Sequence, residues 1–202
     1  MKRFPFAFLL VSGLLLASAA FSQGGSQGGQ PSGAAAYFGS LPSLVDQDGR
    51  PVQLYADLMK GKVVVIDAIF TTCQGACPVM SRNFAKIQDW LGDRLGKEAY
   101  LISISVDPVT DTPAKLKEYA SHFNARPGWY FLTGKPDDVA QVLKKLGQYT
   151  EKPDDHLNLF LVGNDVTGLW KKAFGLADAA QLLPIVDSVL KDQGQEPAKG
   201  TG

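Results

Sequence analysis

Apolar positions divide the chain into segments whose periods differ. Residues 63–70 (VVVIDAIF) form a continuous, β-branched and apolar run, as a central strand covered on both faces requires. Beyond Pro78, the residues Met80, Phe84, Ile87, Leu91 and Leu95 recur at spacings of four and three, which predicts one long helix with a single buried face. Residues 100–106 read as a second apolar strand. Asp111-Thr112-Pro113 then supplies a cap and a first-turn proline for a helix ending near Phe123. Further along, the pattern predicts a strand at 129–132, a helix at 136–146 with Val139, Val142, Leu143 and Leu146 inward, and strands at 157–162 and 169–173 around the turn residues Gly163-Asn164-Asp165. A last helix spans 179–190. Upstream, two short apolar stretches flank Asp46-Gln47-Asp48-Gly49, and Asp-Gly between apolar runs signals a β-hairpin.

Strands alternating with helices, followed by a terminal hairpin and helix, predict an α/β sandwich with a mixed central sheet and an N-terminal β-hairpin extension. The domain is expected to cover residues 37–195, with a short disordered tail at 196–202. Residues 1–22 do not fit it. Lys2 and Arg3 precede an apolar run over residues 4–21, and Ala17-Ser18-Ala19-Ala20 offers a cleavage site of small residues. A removed signal peptide and an uncleaved anchor both fit this segment, and either places the domain outside the cytoplasm, in the periplasm or on the outer face of the cell membrane. Residues 23–36 (QGGSQGGQPSGAAA) lack any large apolar side chain that could offset the entropy of ordering them, so a flexible tether is expected.

Charge narrows the function. The chain carries 20 basic and 20 acidic side chains with no basic cluster, which argues against nucleic acid as a partner. Removing residues 1–22 takes away two basic side chains and leaves the rest mildly acidic.

The candidate chemistry lies in Thr71-Thr72-Cys73-Gln74-Gly75-Ala76-Cys77-Pro78, which holds the only two cysteines of the chain. They fall where the central strand gives way to the long helix, at the carboxyl edge of the sheet. A helix N-terminus carries partial positive charge and unpaired N–H groups, so a thiolate is expected to be favoured there. The four-residue spacing places both sulfurs on one side of a helical turn, where they can share a ligand. A plain stabilising disulfide also fits an exported protein, although so short a loop contributes only about 2 kcal/mol in the chain-entropy account.

Beyond the cysteines, Phe70-Thr71-Thr72-Cys73, Cys77-Pro78, the stretch from Ser105 to Pro113 (SVDPVTDTP) and Asp155-His156 before an apolar strand resemble, in the same order, the Sco/SenC family. With Asp46-Gln47-Asp48-Gly49 and Gly61-Lys62, the resemblance covers about residues 38–191. One departure is the link 147–155, which is shorter than in many members. The resemblance implies a thioredoxin-like fold that holds one copper ion, Cu(I) or Cu(II), with Cys73 and Cys77 as thiolates and His156 as the nitrogen ligand. It also implies a metallochaperone that loads the copper-receiving subunit of cytochrome c oxidase or another copper protein. Donor chemistry agrees: two soft thiolates and an imidazole suit copper, whereas structural zinc wants four protein ligands. Only His122 could complete such a set, and it is expected far from the site at the end of a helix.

A second function uses the same cysteines: an extracytoplasmic thiol-disulfide oxidoreductase that reduces a partner protein and has no need of His156. A peroxiredoxin-like peroxidase is disfavoured, because the Thr-x-x-Cys arrangement is absent. Asp67, six residues before Cys73 in the most apolar strand, stands where thioredoxins carry a buried acid. A role as proton acceptor for Cys77 and a structural role remain equally open. Met80 is expected in the core, Asp107 and Asp111 in a turn and a helix cap, and Asp155 as a weak candidate to orient His156.

Overall fold

The computed structural model describes Met1 and residues 33–194. The proposed signal or anchor segment, residues 23–32 and the tail from 195 onward therefore lie outside the described residues. Within them, the order is α1 (Gly33–Phe38), β1 (Leu44–Val45), β2 (Pro51–Val52), a π turn (Leu54–Met59), β3 (Val63–Ile69), α2 (Ala76–Leu91), β4 (Ala99–Ser105), α3 (Pro113–Ser121), β5 (Trp129–Leu132), α4 (Pro136–Leu146), β6 (Leu159–Asn164), β7 (Trp170–Phe174) and α5 (Ala179–Leu190). β1 and β2 form the expected hairpin.

The main sheet runs β5-β4-β3-β6-β7. β3 is parallel to β4 and antiparallel to β6, so the sheet is mixed around its central strand. Every residue of β3 is buried, as its unbroken apolar run requires. α3 packs against β5, α4 against β4, and α5 against β6, β7 and α2. Phe84 of α2 binds the layers: its ring centroid lies 4.7 Å from that of Phe160 on β6 and 5.6 Å from that of Trp129 on β5.

Three departures from the sequence pattern each have an identifiable cause. α2 ends at Leu91 rather than reaching Leu95, because Gly92 adopts φ 55°, a left-handed value that terminates a helix. Leu95 is buried all the same, after a single 3₁₀ turn. β6 runs through Gly163 and Asn164, which the composition placed in a turn. Gly163 pairs with Trp170 in register, and a Cβ there would come within 2.5 Å of the indole, so glycine makes room for the ring rather than for a turn. Finally, α1 takes in Gly33 to Ala36, whose composition suggested a tether. It is held by buried Phe38, tilted against Trp170 at 5.7 Å, and by the Tyr37 hydroxyl, which donates to the Lys145 carbonyl.

Candidate metal centre

β3 ends at Ile69, and residues 70–75 form the loop that carries Cys73 to the start of α2. The helix begins at Ala76, so Cys73 precedes it and only Cys77 lies in its first turn, not both as the spacing suggested. The sulfurs still converge. The backbone N–H of Cys77 points at Cys73 Sγ (3.5 Å), so a sulfur takes the place of the side-chain cap that Gly75 cannot provide. Both thiols are free.

The third donor comes from the loop before β6. A 3₁₀ turn at Pro153–Asp155 ends in the His156 N–H donating to the Pro153 carbonyl, which swings the ring inward until the residue is only 7% exposed. Its Nε2 lies 3.3 Å from Cys77 Sγ, and the ring stands edge-on to Phe70. Nδ1 faces the Leu157 carbonyl at 3.4 Å; a carbonyl only accepts, so this contact places the proton on Nδ1 and leaves the Nε2 lone pair facing the sulfur. The orienting partner is thus a carbonyl and not the Asp155 carboxylate, whose residue is exposed. One donor atom from each of Cys73, Cys77 and His156 lies within 4.8 Å of the others.

Burial sets the charge of this cluster. It pushes the Cys77 thiol far up, an effect only partly offset by a backbone hydrogen bond from Phe70. Burial also lowers the His156 imidazole below its usual value, opposed by the Leu157 carbonyl. Burial therefore works against the thiolate at Cys77 that the helix N-terminus was expected to favour. An imidazole that burial biases toward its neutral form and a buried thiol would suit a soft cation, which would take the place of the thiol proton. Two sulfurs and one nitrogen at this separation fit copper. No fourth His, Cys, Asp or Glu donor joins the group among the described residues, so a four-ligand structural zinc site is not assembled.

The neighbours of the cluster differ in part from what the sequence suggests. Asp111 does not cap α3; Thr112 does, its side chain accepting from the Lys115 N–H. Asp111 is fully buried and accepts from the Thr71 hydroxyl (2.6 Å), the Thr71 N–H (3.2 Å) and the Ser105 hydroxyl (2.6 Å), tying the cysteine loop to the end of β4. The available signal was redundancy: Thr112 and Pro113 already complete the helix start and leave Asp111 no local role. His122 is not remote either, since it lines one groove together with Cys73. Met80 is buried in the core, as expected, with its methyl group against Gly175.

Asp67 is entirely buried in β3, and among the described residues no donor reaches either carboxyl oxygen in full hydrogen-bond geometry, the Ser103 hydroxyl being the side-chain group that acts on it. Burial raises it to about 7, with the nearby Ser103 hydroxyl opposing the shift. Its folded value exceeds its unfolded one, so the unfolded chain sheds this proton near pH 4 while the folded chain keeps it to about 7. The group's contribution is fully present below pH 4 and is lost as pH rises through that window. Asp67→Asn should therefore reduce the decline of unfolding free energy between pH 4.5 and 7 by about 1.4 kcal/mol per pH unit. Denaturant titrations of reduced protein at several pH values measure this, and an unaltered slope would show that Asp67 ionises normally.

The fold and the site together define a thioredoxin-like protein in which an imidazole has joined the cysteine pair of the strand-helix junction. Residues 31–167 match the SCO1/SenC family, and the chain belongs to it. The SCO1 protein homolog of Bacillus subtilis is 33% identical over 129 residues, which cover 59% of this chain and 65% of that protein. The chain thus spans just under two thirds of this curated relative. Yeast Sco1 with copper bound superposes with a TM-score of 0.63 at 26% identity, covering 77% of this chain and 88% of that one. BsSco, a member of the Sco family of cytochrome c oxidase assembly proteins, gives a TM-score of 0.61 at 29% identity over 74% of this chain and 91% of its own. No helix among the described residues is long and apolar enough to cross a membrane.

Proposed function

We propose that this protein is an extracytoplasmic copper metallochaperone. It holds one copper ion between Cys73, Cys77 and His156 and passes it to the copper-receiving subunit of cytochrome c oxidase or to another copper protein. The observation that carries this reading is the imidazole: His156 Nε2 faces the Cys77 sulfur with its lone pair available, a position that cysteine exchange chemistry does not require. The copper found in yeast Sco1 and the oxidase-assembly role stated for the family of BsSco support the same cargo and the same class of recipient. The apolar segment at residues 4–21 would export or anchor the domain.

A second reading, thiol-disulfide exchange with a partner protein, rests on Asp67. Its buried carboxyl is near enough to Cys77 to raise the thiol further, and it would accept the Cys77 proton during exchange.

Replacing His156 with Ala separates the two. Two thiolates still hold Cu(I), so its binding should weaken modestly. Cu(II) prefers more donors with nitrogen among them, so the thiolate-to-Cu(II) charge-transfer band should be lost or decay as the thiols oxidise. Disulfide exchange should survive. Cells carrying His156→Ala should lose oxidase activity as fully as cells carrying Cys73→Ala. Wild-type Cu(II) binding together with full oxidase activity in the variant would remove His156 from the site and favour the exchange reading.

A further inference from the structure

The chain has two cysteines and two histidines, and three of these four soft donors form the centre. The fourth, His122, follows the last turn of α3. It is exposed and lines a groove of about 430 Å³ together with Cys73, Thr71, Pro78 and Tyr119. The ligands of the centre differ in access: Cys77 and His156 are buried, whereas Cys73 is half-buried and opens into this groove. A metal arriving from solvent through the groove therefore meets Cys73 before the other two.

Copper is bound tightly by nitrogen and sulfur donors, so it reaches a protein already carrying ligands and is transferred by replacing them one at a time. A single half-buried sulfur is a poor landing point, because the ion must exchange into a buried site while one protein atom holds it. An exposed imidazole in the same groove supplies a second donor at that stage. The other ionisable walls of the groove suit a copper ion less well, since Lys115 repels a cation, Glu118 is a hard oxygen donor, and the Tyr119 hydroxyl is engaged with Ser81 at 2.9 Å. The C-terminal end of α3 also turns its partial negative charge toward a cation at His122.

We propose that His122 is a transit ligand: copper entering the groove is held first by His122 and Cys73, then moves to Cys77 and His156 as His122 releases it. The inference rests on the copper reading of the centre. The oxidation state of copper is unchanged throughout. The thiol protons of Cys73 and then Cys77 pass to solvent, and the groups leaving copper are the ligands it brought, followed by His122.

The test is stopped-flow mixing of full-length reduced protein with Cu(II) supplied as its glycine complex, following growth of the thiolate-to-Cu(II) absorption. His122→Ala should slow uptake by about tenfold, comparable with the loss of a supporting contact at a metal site, while final amplitude and stoichiometry match wild type. Release to a chelator should slow by the same factor, because entry and exit share the path. His122→Cys, which keeps a soft donor, should restore the rate, and His122→Gln should not. Wild-type kinetics in His122→Ala would overturn the proposal. So would a reduced final amplitude, which would make His122 a resident ligand, or a slow rate in His122→Cys, which would point to a shape or docking role for the groove. Failure of the copper reading itself looks different: the wild-type protein would then develop no charge-transfer band.

Discussion

Oxidation of Cys73 and Cys77 to a disulfide is expected to take copper binding from one ion per chain to none, and replacement of Cys77 by Ser to weaken it severely. Cys77 is the hub of the centre. Its sulfur lies 3.3 Å from His156 Nε2, and its backbone N–H points at the Cys73 sulfur at 3.5 Å, so it is tied to both other donors. A disulfide leaves no thiolate, and one imidazole alone holds copper no better than a surface histidine does. Serine keeps the size of the side chain but presents a hard oxygen that copper does not favour, in a pocket where burial opposes ionisation. Metal analysis after desalting, and competition against a chelator, should find reduced wild type loaded, the disulfide form empty and Cys77→Ser losing its copper to far less chelator than wild type does. Copper retained by the disulfide form would sink the assignment of the two sulfurs.

Asp111→Ala should damage stability and copper binding together, although Asp111 touches neither sulfur. Its carboxylate receives the Thr71 hydroxyl and N–H from the cysteine loop and the Ser105 hydroxyl from β4. Ser105 in turn accepts from the Asp107 N–H, so one buried acid closes a network across the ends of β3 and β4. Each buried donor left without an acceptor costs about 1–3 kcal/mol, so the variant should lose on the order of 4 kcal/mol of folding free energy. Thr71 lies two residues before Cys73, so the cysteine loop loosens as well. Cu(II) affinity should fall about 10–100-fold, as it does when the support of a metal ligand is removed. Asn should be milder, since it keeps one acceptor oxygen. Chemical denaturation and copper competition on the same samples measure both effects, and an unchanged denaturation midpoint would remove Asp111 from its proposed place.

The sequence by itself determined the order and type of the main strands and helices from β3 to α5, though not all of their ends, and the closeness of the two cysteines, because these depend on short-range pattern. A short, β-branched apolar run reads as a covered strand, and four-residue spacing at a strand-helix junction keeps the two sulfurs within reach of one another. His156 was legible through resemblance alone, since nothing local distinguishes it from a surface histidine. Tertiary structure decided what depends on residues far apart in the chain. His156 meets Cys77 across 79 positions, and Asp111 meets Thr71 across 40. His122 enters the groove of Cys73 because α3 packs beside the cysteine loop. Gly163 reads as a turn residue until Trp170 is placed over it from the neighbouring strand. α1 was invisible for the same reason: Gly33-Ala34-Ala35-Ala36 carries little apolar surface of its own, and the helix is fixed by Tyr37 and Phe38 reaching Lys145 and Trp170. The charge state of the centre likewise lay beyond the sequence. The helix N-terminus is a local feature and can be read there, whereas the burial that raises the Cys77 thiol is created by the elements packed around it.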